Sequence, residues 1–274
     1  MTVHAADYIP FATDLARGAG AILMQHYAKV QVEYKGRFDT VTAADRASER
    51  WVVERIRSRF PTHSIVAEEG GGFEGDPEFV WHVDPLDGTT NFSHGLERFC
   101  VSIALWGREE GLIGVIYDPI RDDVFAAERG SGAYLNRRRI RVSEVDDLAK
   151  GLFATGFPSS MRGRNPNIHY FHQVATLTHG VRRTGSAALD LCSVAQGHFD
   201  GFWEIGLKSW DVGAGLVILT EAGGEYCDFE GRRYRPGHGR LVATNGRVTR
   251  ALLELFGEVT QGRCRAPLPQ IRPI

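Results

Sequence analysis

Apolar positions along the first sixty residues recur at helical spacing, give way to alternation, and then recur again. Ile9, Ala12, Leu15, Ala19, Ile22 and Leu23 lie three and four residues apart, which predicts a helix over 5–28. Residues 30–34 alternate and predict a strand ending at Lys35 and Gly36. Val52, Ile56 and Phe60 mark a second helix over 42–60, which Pro61 stops. Ser64 to Ala67 predicts another strand. Val80, Trp81 and Val83 suit a covered, pleated surface and predict a short strand that Pro85 should end. From Phe99 to Leu135 the pattern is strands and turns, with strands at 101–106, 112–117, 124–127 and 133–135; the first two flank Arg108 to Gly111, a hairpin signal. Beyond Leu152 short apolar runs at 152–155, 181–184, 199–205, 225–229 and 241–244 predict strands. Helical patterns at 167–179, 185–195, 210–222 and 248–256 separate them. The element mix is α/β, with no internal repeat and no low-complexity segment. From Gly262 the chain turns to arginines, prolines and single apolar residues, and a frayed tail is expected.

Composition changes this picture little. The chain has 274 residues, 43% hydrophobic and 24% charged, enough for a sizeable core. A net charge of −2 argues against a broad nucleic-acid or anionic-membrane field. Arg137, Arg138, Arg139 and Arg141 form the only dense basic run; a solvated edge is its ordinary meaning, with phosphate or RNA contact as the alternative. Cys100, Cys192, Cys227 and Cys264 are far apart without a Cys-x-x-Cys, which favours reduced thiols in a cytoplasmic protein. No signal peptide or membrane-spanning run is expected.

Candidate chemistry concentrates between Val80 and Phe92. Asp84 and Asp87 stand three residues apart across the corner at the strand end, and Gly88 lets the backbone come close to whatever they hold. Thr89, Thr90 and Asn91 are helix-starting residues. Acids want a cation and a helix start wants an anion, so the stretch suits a metal-bound phosphate; turn dipeptides and a helix cap are the plainer account of the same letters. Asp45, three residues after Thr42, fits a capping box. Glu68 and Glu69 precede Gly70, Gly71 and Gly72, either a mobile surface loop or one that bends around a ligand. Asp211 opens an apolar, small-residue helix, where an Asp usually caps; buried, it would need a partner charge. His169 and His172 lack a third ligand nearby. Gly130-x-Gly132 and Gly213-x-Gly215 do not form dinucleotide fingerprints.

Four blocks in order carry a resemblance to the inositol monophosphatase family over Ala5 to Gly257: Asp39 to Asp45, Ala67 to Gly70, Trp81 to Phe92, and Glu204 through Trp210-Asp211 to Gly224. The resemblance implies a layered αβαβα sandwich with mainly antiparallel and mixed sheets, here one phosphatase domain over 1–262 with a tail at 263–274. It implies a Mg²⁺-dependent, lithium-sensitive phosphatase, working through two or three ions for which Mn²⁺ could substitute. Glu68, Asp84, Asp87 and Asp211 are implied as metal ligands with the Leu86 carbonyl. Asp45 and Thr89 would orient the attacking water, with Glu68 serving catalysis through its ion. Gly88 and Thr89 would hold phosphate; Gly185, Ser186, Ala187, Glu204 and Asp211 would meet the substrate. Lys35 could add positive charge near the phosphate. The implied reaction is hydrolysis of a phosphate monoester by metal-activated water, myo-inositol-1-phosphate first among substrates, in a cytoplasmic homodimer without membrane or nucleic-acid partners. Fructose 1,6-bisphosphate, a 3′-phosphoadenosine nucleotide and histidinol phosphate are alternative substrates. A binding protein for RNA or a transcription partner is the alternative from another class.

Overall fold

The computed structural model describes residues 8–27, 32–36, 39–158, 161 and 163–268; for 32–36 and 39–42 it describes the backbone course alone. The Lys35 side chain therefore lies outside the described residues. Helices α1 (Tyr8–His26) and α2 (Ala43–Arg59) follow the periodicity closely, and a two-stranded ribbon, β1 (Val32–Gly36) and β2 (Asp39–Thr42), joins them. Both helices lie on one face of a seven-stranded sheet. Its strands are β3 (His63–Ala67), β4 (Asp76–Asp87), β5 (Cys100–Trp106), β6 (Gly111–Asp118), β7 (Asp123–Glu128), β8 (Gly132–Leu135) and β9 (Arg138–Arg139), in that spatial order. β3 and β4 run parallel; every later pair is antiparallel. The basic run ends this sheet as the exposed strand β9, a charged edge that discourages pairing with another chain.

A second sheet of five strands has the order β11 (Gly180–Arg182), β10 (Leu152–Thr155), β12 (Gly201–Ile205), β14 (Arg240–Thr244) and β13 (Glu225–Cys227). β10 is parallel to both its neighbours, and the other pairs are antiparallel. Helices α5 (Ala187–Ala195) and α6 (Ser209–Glu221) fill the space between the sheets. Cys100, Ala104 and Ile116 from one side and Ala154, Phe202 and Ala243 from the other share a core with them. Helices α4 (Asn167–Leu177) and α7 (Thr249–Thr260) cover the far face of the smaller sheet over Phe153, Trp203 and Val242. The layering is αβαβα, as expected. A helix between two sheets must be apolar all round, and α6 is: Val212 through Leu219 are all buried. Its small residues set the spacing. A Cβ on Gly215 would fall 2.5 Å from the Leu191 side chain, and one on Gly114 of β6 would fall 2.4 Å from the Ala214 carbonyl.

Two expectations change. Pro85 does not end a strand, because β4 continues through it to Asp87 by means of a pairing irregularity. The chain after Gly262 does not fray at once: the Ala266 amide donates to Gln173 Oε1 at 3.0 Å, and its carbonyl accepts from Gln173 Nε2 at 2.6 Å. His172 is spent on the same carbonyl at 3.1 Å, which accounts for it without a metal.

The Gly114–Ala214 approach sets strand backbone against helix backbone, with no flexible side chain to yield. Gly114→Ala should therefore lower the free energy of unfolding by about 2 kcal/mol, the usual cost of overpacking, measured as a shift of the urea midpoint; an unchanged midpoint would show that α6 can move away.

Candidate active site

Residues three apart on a regular strand face opposite ways, so Asp84 and Asp87 should diverge. They do not, because β4 pairs Asp84 with Ser102 but Asp87 with Cys100. Three steps on β4 match two on β5, the signature of a bulge. The extra residue absorbs Pro85, which has no ladder donor, and turns both carboxylates to the face that meets α5 and α6. Trp81, Val83 and Leu86 turn the other way, into the core under α1 and α2. Gly88 follows at φ 94°, and a Cβ there would stand 2.9 Å from the Arg98 carbonyl, so the exit from the bulge requires glycine. The short helix α3 (Thr89–Ser93) begins next.

Each acid is held by protein donors. Asp84 Oδ1 accepts the Leu86 amide at 3.0 Å. Asp87 Oδ2 accepts the Ser186 hydroxyl at 2.6 Å and the Ala188 amide at 2.8 Å, both from the start of α5. Asp211 Oδ2 accepts the Lys208 amide at 2.6 Å, so it does cap α6, as an Asp at that place ordinarily would. Asp45, fully buried in the first turn of α2, accepts the Thr89 hydroxyl at 3.2 Å, which it shares with the Leu86 carbonyl at 3.1 Å. The side chain of Glu68 shares a hydrogen bond with Asp84. Among the described residues, no three Asp, Glu, His or Cys side chains are yet drawn close enough to hold an ion between them. Asp87 and Asp211 are turned to their own donors instead.

The acids nevertheless share one field. Burial holds the Asp84 carboxyl well above the usual range, and the charges of Glu68, Asp87 and Asp211 push it further. Burial raises Asp87 against the opposing pull of Ser186, the α5 amides and Arg98. Burial, with the Asp87 charge behind it, pushes Asp211 to about 7 although the Lys208 amide works against it. Such a set resists holding its charge in this environment. A cation relieves that conflict, and the donors offered are carboxylates and a carbonyl, hard oxygens that fit Mg²⁺ or Mn²⁺ better than zinc.

Beside the acids lies a cavity of ≈ 280 Å³ lined by Asp87, Asp211, Glu204, Gly185, Ser186 and Ala187 together with Thr155, Gly156, Phe157 and Arg183. Every substrate residue expected from the sequence other than Gly88 and Thr89 is on its wall. Glu204, on β12, is buried, and burial holds its carboxyl well above the usual range, with Asp211, Asp190 and Asp87 adding to the effect and Arg183 opposing it. A Cβ on Gly156 would sit 2.0 Å from Glu204 Oε2, so the glycine before Phe157 makes the room that this carboxylate occupies.

Several supporting residues escape sequence reasoning. Asn91 does not merely start a helix: its Nδ2 donates to the Arg98 carbonyl at 2.8 Å and to the Thr184 carbonyl at 2.9 Å, tying the bulge exit to the turn before α5. Asp190, buried and pushed up to about 6 by its burial, accepts from Thr184 Oγ1 at 2.6 Å and from Arg98 at 2.9 Å. An acid in the first turn of a helix after Gly-Ser was the one available signal, and it could not name Arg98, 92 residues away.

The chain matches the model of the inositol monophosphatase family over residues 4–261. It is 43% identical over 243 residues to the Nus factor SuhB of Pasteurella multocida, covering 87% of this chain and 91% of that protein. It is 42% identical over 258 residues to an inositol-1-monophosphatase of Synechocystis sp., covering 93% and 90%. The inositol monophosphatase structure from Anabaena (Nostoc) sp. superposes with a TM-score of 0.83 at 43% identity, covering 93% of this chain and 95% of that one. The chain therefore belongs to the inositol monophosphatase family.

The raised carboxyls carry a sign. In the folded state Asp211 binds a proton up to about pH 7, against an ordinary value of 3.8. The folded state therefore holds more protons than the unfolded one across that window, and stability falls as pH rises through it. Without divalent cations, the urea midpoint should fall between pH 4 and pH 7, and Asp211→Asn should flatten that fall. A wild-type midpoint rising throughout the window would contradict it.

Proposed function

We propose that this phosphatase-family chain hydrolyses a phosphate monoester of a polyol with Mg²⁺, with myo-inositol-1-phosphate as its best substrate. The observation that carries the reading is the bulge in β4, which turns Asp84 and Asp87 toward Asp211 with the Asp45–Thr89 pair alongside. Glu68, Asp84, Asp87, Asp211 and the Leu86 carbonyl would hold the ions. When bound, Mg²⁺ neutralises the acids, acidifies water and steadies the departing oxygen.

The residues of the chain do the rest. The Thr89 hydroxyl donates toward Asp45, which leaves its lone pairs to accept a proton from the attacking water. As that proton arrives, the threonine proton passes to the Asp45 carboxylate, so charge is conserved. The Gly88 and Thr89 amides would donate to phosphate oxygens. Glu204, with Ser186 and the backbone of Gly185 and Ala187, offers polar partners to substrate hydroxyls, and a site built to pair hydroxyls rejects substrates lacking them. Water is the nucleophile in this reading. Action in the cytoplasm as a homodimer completes it; no described helix is long and apolar enough to cross a membrane.

Relatives named Nus factor SuhB favour a second reading, in which the chain also serves as a Nus factor, by binding RNA or a transcription partner. The exposed strand of Arg138 and Arg139 is the surface this reading would use.

Phosphate release from inositol-1-phosphate, fructose 1,6-bisphosphate, 3′-phosphoadenosine 5′-phosphate and histidinol phosphate, each with Mg²⁺, separates the substrates. The inositol ester should turn over fastest, and equal or slower turnover than the others would defeat the assignment. Thr89→Ala should lower kcat by about 10²–10⁴-fold, the usual worth of a positioned proton acceptor, with a smaller change in KM. Asp84→Asn should abolish release; a cell whose phenotype survives that substitution would favour the binding role.

A further inference from the structure

Helix α2 meets the site through three side chains on one face. Asp45 receives the Thr89 hydroxyl at 3.2 Å. Three residues on, Ser48 Oγ donates to the Pro85 carbonyl at 3.0 Å, inside the β4 bulge. At the next residue, the Glu49 carboxylate accepts the Glu69 amide at 2.6 Å and the Gly71 amide at 2.8 Å. Positions i, i+3 and i+4 share a helix face, and all three residues are buried. None lines the substrate cavity.

We propose that Glu49 is a positioning residue that sets divalent-cation affinity by fixing where Glu68 stands relative to Asp84; the inference rests on the metal-dependent reading of the site. The chain leaves the sheet after Ala67 and returns only at the bridge between Ile65 and Phe73. Over that gap Glu49 grips two alternate amides just beyond Glu68. Hydrogen bonds from amides to a carboxylate are among the stronger ones in proteins. The loop is shaped for the grip. Gly70 takes φ 94°, and a Cβ on Gly71 would stand 2.7 Å from Glu49 Oε1, so the carboxylate occupies space that only glycine leaves open. Because Ser48 holds the Pro85 carbonyl, one rigid helix spans both arms of the acid pair: the loop of Glu68 and the bulge of Asp84. The glycine run thus serves a fixed loop, tied from behind by an acid that never meets substrate.

The test compares the full-length wild type with Glu49→Gln and Gly71→Ala. Glutamine keeps the size of Glu49 but replaces one acceptor with an NH₂ group. Alanine at position 71 pushes on the same carboxylate from the other side. Mn²⁺ binding without substrate, read from the free-ion electron paramagnetic resonance signal, should weaken by about 10–100-fold in both, the usual effect of losing a residue that orients a metal ligand. The Mg²⁺ concentration for half-maximal phosphate release should rise in parallel, while kcat at saturating Mg²⁺ stays within about twofold of wild type. Amide exchange across 68–73 should quicken. Unchanged Mn²⁺ affinity in both variants, with only a lowered melting temperature, would make Glu49 a purely structural residue and overturn the inference. A wild type that binds no Mn²⁺ and releases phosphate equally well in chelator would overturn the metal-dependent reading itself.

Discussion

Carboxylates gathered out of water repel one another by about 4 kcal/mol per pair at ~4 Å and an effective dielectric near 20, and the architecture around Asp84 is arranged to bear that load. Asp84 is 2% exposed and feels Glu68, Asp87 and Asp211 together. Each acid leans on donors from a different element: Leu86 within the bulge, Ser186 and Ala188 at the start of α5, Lys208 at the start of α6. Two helix N-termini thus point their amides at the acids, and their dipoles are oriented to help. Those contacts offset only part of the cost, as the raised carboxyls record. A cation drawn among these acids would relieve the remainder.

The layering explains why this can be done in so small a volume. α5 and α6 are wedged between two sheets, so their N-termini are fixed from both sides. The same wedge gives the cavity beside the acids its walls: Asp87 from the larger sheet, Glu204 with Gly156 from the smaller, and Asp190 and Asp211 from the helices between. Small residues on α6 let the sheets approach, and the aromatic residues Phe153, Trp203 and Phe256 hold the outer helices to the smaller sheet.

Much of this was legible in the letters. Periodicity found α1 and α2 within three residues of their ends, because one apolar stripe and a stopping proline leave little choice. The acids of Trp81 to Phe92 and of Trp210-Asp211 were found by their company, and the structure brings the latter to the former. The bulge was not legible. A proline ordinarily ends a strand, and no local rule says that a ladder will skip one residue to accommodate it; the partner strand decides. Asn91 reads locally as a helix starter, yet its amide is committed 93 residues away. Glu49 reads as one more charge on an amphipathic helix. Its partners lie on a loop twenty residues on, and only tertiary placement reveals that they are amides.

The skipped pairing between Asp84 and Asp87 has a consequence for how this chain can change. Parity along a strand is unforgiving: removing one residue there, or adding one, would swing Asp87 into the oily layer beneath α1 and leave the site one acid short, with every side chain otherwise intact. Point substitutions can be graded by chemistry, but length at this place cannot. Descendants, chimaeras and redesigned versions are free to vary the loops at the sheet's far rim, whereas the five residues from Asp84 to Gly88 must be inherited as one indivisible piece.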